Sequence, residues 1–250
     1  GRGYIPPDNF QQEPEKRPAV NTSPTNIGMA MAAAVSAAEL GLITADELEK
    51  RLSGTMDTVD KMQKWHGHLY NWYRTDTLEV MRPRYVSTVD SGNFCACLIT
   101  GSMALKKYGR EDTAARLERA ARETDFSALY DAERKLFRIG YDGDACELSN
   151  SWYALLASEA RLTSLIAVAL GSVDPEHWFK LGRQMAPVLG GTLVSWSGTM
   201  FEYLMPVLFT GAVPDTLLYN SCLNAVKAQK RQRYGGVWGI SESGYYACLL

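Results

Sequence analysis

From Gly28 to Leu40 the chain is an alanine-rich apolar run, preceded by Ser23-Pro24 and stopped at Gly41. Serine as an N-cap, proline in the first turn and glycine just past the end predict a helix, and its small side chains imply close contact with another one. Thr44-x-x-Glu47 is a capping box, after which Leu48, Leu52, Met56, Val59 and Met62 recur at spacings of four and three. That pattern predicts a second, amphipathic helix. The period is lost over residues 66 to 89, which hold Pro83, Tyr70, Trp72, Tyr73 and Tyr85 and read as a loop with short strands. A loop of that length is uncommon without a function. Helical character returns over residues 90–107 and 111–123, and a β-like piece, Leu136 to Tyr141, precedes a helix read over 151–170. A further helix is expected over 199–209, and another is capped by Asp215 and carries Lys227, Lys230 and Arg231 toward its C-terminal end. The first 22 residues, polar and punctuated by Pro6-Pro7, Pro14 and Pro18, read as an extended arm, and residues 23–250 as one domain.

The fold class is therefore mainly α, with helices in antiparallel pairs and no sustained β-α alternation. A closed toroid of six helical hairpins takes about 230 residues of economical chain. This chain spends much of its length on the arm and loops, so about four hairpins are expected, in a toroid incomplete at its C-terminal side. The remainder would come from a longer parent chain or a partner chain.

At 250 residues, 46% hydrophobic and with a formal charge of −2, the composition is globular and sets up no field to attract nucleic acid or an anionic membrane surface. The segment from Pro187 to Pro214 carries only Glu202 as a formal charge, but glycines and Pro206 interrupt it. It reads as buried core, since a bilayer span needs about 20 consecutive apolar residues. Five cysteines, an odd number without framework spacing, predict reduced thiols and a cytoplasmic setting. His66-Gly67-His68 and Cys95-x-Cys97 lack the further ligands of a metal site, and no nucleotide motif is present, so no metal or cofactor is expected.

Carboxylates in apolar surroundings carry the chemical signal, because a buried carboxyl can have the raised pKa that a general acid needs. Glu159 stands at helical spacing from Leu155, Leu156 and Leu162, and Glu202 sits within Met200-Phe201-Glu202-Tyr203-Leu204. For both, an ion pair to an arginine such as Arg84, Arg161 or Arg183 is the structural alternative. Glu242 follows Val237-Trp238-Gly239-Ile240-Ser241, and Asp90 lies in Val89-Asp90-Ser91-Gly92-Asn93. Each could instead cap a helix or sit in its first turn. Trp72, Tyr73, Trp152, Trp196 and Trp238 combine a flat apolar face with a polar edge, a combination that suits stacking on sugar rings. Aromatic plugs between helices are the alternative.

The longer strings narrow this. Thr22-Ser-Pro-Thr-Asn-Ile-Gly28, Gly67-His-Leu-Tyr-Asn-Trp-Tyr73, Pro83-Arg-Tyr-Val-Ser-Thr-Val-Asp-Ser-Gly-Asn93, Leu156-Ala-Ser-Glu-Ala-Arg-Leu162, Ser195-Trp-Ser-Gly-Thr-Met-Phe-Glu-Tyr-Leu-Met-Pro206 and Trp238-Gly-Ile-Ser-Glu-Ser243 resemble the glucoamylase-like domain of cyclic β-1,2-glucan synthases and the related bacterial β-1,2-glucanases. The resemblance implies an (α/α)6 toroid with a carbohydrate cleft on one face and a β-glucan oligosaccharide or polysaccharide as partner. In the synthases it implies cleavage and transfer of β-1,2-glucan with retention, using two carboxyls about 5–5.5 Å apart. Glu159 would be the nucleophile and Glu242 the acid/base. In the glucanase branch it implies inversion at about 6.5–9.5 Å, with Asp90 as a partner of Glu159. Trp72, Tyr73, Arg84, Tyr85, Asn93, Trp196, Glu202 and Trp238 are the substrate-binding candidates. A parent synthase would be anchored in the inner membrane by segments outside these residues, and a non-catalytic glucan-binding scaffold is the reading from another functional class.

Overall fold

A computed structural model describes residues 4–12, 14–187, 190–232, 236–239 and 241. The first two helices form where their caps predict: α1 (Pro24–Glu39) begins at Ser23, whose hydroxyl accepts from the Asn26 amide, and α2 (Ala45–Val59) begins at Thr44, which accepts from Glu47. α3 (Thr88–Lys107) and α4 (Glu111–Arg122) form the next hairpin, joined by Tyr108, Gly109 and Arg110. α3 is the central post and packs against α1, α2 and α4. Close packing of α1 on α3 needs a residue without a side chain, since a Cβ on Gly28 would stand 3.1 Å from both Cβ and Sγ of Cys97. Ile27, Met31, Leu48, Leu52, Leu98, Leu105 and Leu117 fill the resulting core.

The region that loses helical period is more ordered than its sequence predicts. After β1 (Asn21–Thr22) and the small hairpin of β2 (Lys64–Trp65) and β3 (His68–Leu69), the chain forms β4 (Asn71–Arg74) and β5 (Val80–Ser87). Past α4 come β6 (Tyr130–Asp131), β7 (Leu136–Arg138), β8 (Gly140–Asp142), β9 (Glu147–Leu148) and β10 (Trp152–Tyr153). One sheet has the order β1-β4-β5-β8-β9 and another β10-β7-β6, with antiparallel neighbours throughout. The expected arm therefore ends in a sheet strand, and its Ile5 is buried in the main core. Most of these strands escape a periodicity reading because two to four residues are too few to show an alternation.

The second half has shorter helices: α5 (Arg161–Ala169), α6 (Glu176–Lys180), α7 (Met200–Leu204), α8 (Val207–Thr210) and α9 (Leu217–Arg231), with β11 (Met185–Ala186) paired to β12 (Thr192–Leu193). Two expectations need correction. The helix read over 151–170 begins only at Arg161, because residues 151–160 form β10 and a compact turn. The last helix is capped by Thr216, whose hydroxyl accepts from the Tyr219 amide, while Asp215 stands at φ 63° outside it. Leu156, Leu181, Leu193, Met200 and Tyr203 make a separate, smaller core under this half. Among the described residues no helix is long and apolar enough to cross a membrane.

Candidate active site

Glu159 is half-buried in the turn just before α5, not on a helical stripe. Its leucine spacing is imitated by the turn, in which Leu156 and Ala157 point into the smaller core. The turn is stiffened from within, since Ser158 Oγ accepts from the Ala160 amide at 3.2 Å and the Glu159 carbonyl accepts from the Leu162 amide at 3.0 Å. Glu159 opens onto a cleft of about 290 Å³ that it lines with Ile139, Tyr153, Ser158, Trp196, Ser197 and Glu202. Trp196 presents its exposed ring at the rim, placed there by the β12–α7 loop.

Glu202 closes the back of the same cleft in a different state. It is buried, and its two carboxylate oxygens accept from the Ser195 hydroxyl, the Ser197 hydroxyl and amide, and the Trp196 and Thr199 amides at 2.8–3.3 Å. Burial pushes its pKa up, but the Ser197, Ser195 and Thr199 donors outweigh it and the net displacement is downward. The carboxylate is thus held by its own loop, and among the described residues no arginine forms an ion pair with it. The capping box Thr199-x-x-Glu202 was the signal in the sequence that could have identified this role.

Arg161 lies beneath this wall. Its buried guanidinium donates to the carbonyls of Ser158, Glu202 and Tyr203 at 2.6–3.0 Å. Arg183 likewise donates to backbone carbonyls, those of Trp178, Phe179 and Leu181, and Arg84 pairs with Asp144 at 2.9 Å. The three arginines offered as partners for the catalytic candidates are thus committed elsewhere.

Asp90 stands on the other side, in the first turn of α3. Of the two structural alternatives for it the first-turn one holds, since Asp90 is an acid of the first turn while Ser87 is the N-cap and accepts from the Asp90 amide. The Asp90 carboxylate accepts a 3.0 Å bond from Asn71 Nδ2 on β4, a contact the sequence did not suggest. Its charge also reaches Tyr85 and Tyr153, whose phenols burial pushes up and neighbouring carboxylates push up further. For Tyr153 these are Glu159 and Asp90, so one ring senses both candidates. The two are fixed to one frame where α3 meets α5: a Cβ on Gly92 would lie 2.0 Å from Thr163 Oγ1, and Thr163 donates to the Thr88 carbonyl at 3.2 Å.

The other candidates divide. Trp72 and Tyr85 are half-buried, and Arg84 lies beside them with its guanidinium on Asp144. Tyr73 is fully buried, accepting from the Tyr70 amide and donating to the Gln63 carbonyl, and is a core residue. Asn93 is buried too and donates to Thr25 Oγ1, so neither it nor Tyr73 offers an edge to a ligand. Trp152 is spent on structure, its Nε1 donating to Asp131 with the Arg134 and Arg138 guanidiniums over its ring. Trp238 is exposed with Lys230 Nζ 4.6 Å from its ring centre. Glu242 lies outside the described residues.

Comparison with known proteins now gives these groups a context. A family model described as a protein of unknown function, DUF3131, matches residues 14–97. The chain is 32% identical to the cyclic β-(1,2)-glucan synthase NdvB of Rhizobium meliloti over 98% of its own length, which is 13% of the synthase. That aligned stretch runs to 376 positions, more than the 250 residues of the chain, so the synthase carries internal segments that have no counterpart here. An endo-β-1,2-glucanase from Chitinophaga pinensis, solved with sophorotriose and glucose, superposes with a TM-score of 0.77 at 15% identity, over 93% of this chain and 61% of that one. A glucoamylase-like protein from Bacteroides caccae superposes at 0.73 and 16% identity, over 93% and 63% respectively. The resemblance read from the strings is therefore found in both sequence and fold: the chain is similar along nearly all its length to part of a cyclic β-1,2-glucan synthase, and it folds as part of an (α/α)6 toroid.

Proposed function

We propose that this chain processes β-1,2-glucan as a glycoside hydrolase or transglycosylase, with Glu159 as one of two essential carboxyls. The observation that carries the reading is the cleft itself: an acidic side chain half-withdrawn from water between an exposed tryptophan and a tyrosine, backed by a carboxylate that is already satisfied. An aromatic platform orients a pyranose ring, and a carboxyl in a partly apolar wall can hold or take the proton of a glycosidic oxygen. The leading assignment pairs Glu159 with Glu242 for cleavage and transfer of the glucan chain with retention. Cleavage by inversion, with Asp90 as the partner, is favoured by one observation, that the charges of Asp90 and Glu159 both act on Tyr153. No cofactor is assigned to the reaction, and the setting proposed is the cytoplasm.

The test is incubation of linear β-1,2-glucan with the chain, followed by mass spectrometry of the products and by proton NMR of their anomeric signals before mutarotation. Cyclic or lengthened glucans support transfer, and shorter linear glucans with inverted anomeric configuration support hydrolysis through Asp90. Glucan bound in calorimetry without any product would replace both with a binding role. Unchanged turnover in Glu159→Gln would overturn the assignment of Glu159.

A further inference from the structure

Tyr153 was not among the residues that the sequence pointed to, yet it lines the cleft. β10 pairs with β7 in the register Trp152↔Arg138 and Tyr153↔Phe137. Side chains alternate across a strand, so the two neighbours serve opposite faces. Trp152 is held on one face by Asp131 and the two arginines, and Tyr153 lines the cleft on the other with Glu159, Trp196 and Ser197. None of the described groups bonds the Tyr153 hydroxyl, whereas the buried phenol of Tyr73 has two backbone partners. A half-buried hydroxyl near carboxylates keeps its proton and remains a donor. Burial, with the carboxylates Glu159 and Asp90 adding to it, displaces the Tyr153 pKa upward.

We infer that Tyr153 is a substrate-contacting residue, its hydroxyl donating a hydrogen bond to an oxygen of the glucosyl unit seated between Glu159 and Trp196. The inference rests on the glucan reading and adds to it the group that fixes the sugar relative to the carboxyl. A carboxylate only accepts and the face of an indole stacks without fixing rotation about its normal, so a neutral donor placed beside them restrains a sugar that rests on Trp196. Tyr153 removes that freedom.

The experiment compares wild type with Tyr153→Phe, which keeps the ring, using linear β-1,2-glucan oligosaccharides in a product assay and in calorimetry, with the melting temperature as control. About a tenfold loss in kcat/KM or in affinity, at an unchanged melting temperature, is expected for one lost donor. Wild-type values in Tyr153→Phe would overturn the contact and leave the glucan reading intact. Absence of binding and of products in wild type would overturn the glucan reading, and the contact with it. A melting temperature lowered without a change in binding per folded molecule would make Tyr153 a structural residue and overturn the inference.

Discussion

Glu159 and Glu202 line the same cleft, and the protein treats them in opposite ways. Glu202 accepts from three backbone amides and two serine hydroxyls, so its charge serves to bind the 195–199 loop to α7. Glu159 is half-buried in a turn whose internal bonds include one to the Ser158 hydroxyl and one to its own carbonyl. A buried acid in a sugar-like cleft is therefore not in itself a catalytic acid. What marks Glu202 as structural is that five donors of its own loop converge on its carboxylate.

Substitutions can separate them. Glu159→Gln is expected to lower the rate of bond cleavage by about a thousandfold with little change in melting temperature. A large loss of stability there would break the contrast. Glu202→Gln should do the reverse, costing about 3 kcal/mol of stability, because an amide cannot accept all those donors. Denaturant unfolding would measure it, and any loss of glucan turnover should follow the unfolded fraction. Gly92→Ala is the intermediate case, since the new methyl collides with Thr163 where the Asp90 helix meets α5, the helix that follows the Glu159 turn. Overpacking of this kind should cost about 2 kcal/mol and lower kcat more than it raises KM.

The smallest expected effect sharpens the contrast from outside the cleft. His68 is buried, with Nε2 2.9 Å from the Asp125 carbonyl, and burial brings its pKa down to about 4. Between pH 6.5 and 4 the unfolded chain binds the extra proton and the folded chain does not, so stability falls as pH falls. The loss is about 1 kcal/mol at pH 5.5, readable as a melting-temperature slope that His68→Gln should remove.

The parts of this molecule that were legible from sequence are those in which a local signal and a tertiary role coincide. Ser23 and Thr44 cap the helices they precede, and the 3.6-residue period of α2 is the period of its burial. Glu159 was found through a leucine spacing that the structure assigns to a turn, so the residue was chosen for a helix it does not belong to. Tyr73 and Trp72 are adjacent and chemically alike, and only the fold sends one ring into the core and leaves the other half-buried. Asn71, which orients Asp90 from 19 positions away in sequence, left no trace in any local pattern. Side-chain partnership across elements is the level at which a periodicity argument stops, because it depends on how the elements pack and not on their spacing.

The guanidinium of Arg161 joins Ser158 to Glu202 and Tyr203 through three carbonyls. Breaking any one of those contacts leaves a buried cation short of an acceptor, so the turn before α5 and the end of α7 have a shared reason to stay closed. Segments tied in this way open together or not at all. In native-state hydrogen exchange, the amides of Leu162, Ser164 and Met205 should therefore report a single opening free energy and the same denaturant dependence. Motion that admits a ligand would then be confined to the Trp196 rim, with the floor of the cleft exchanging as one body.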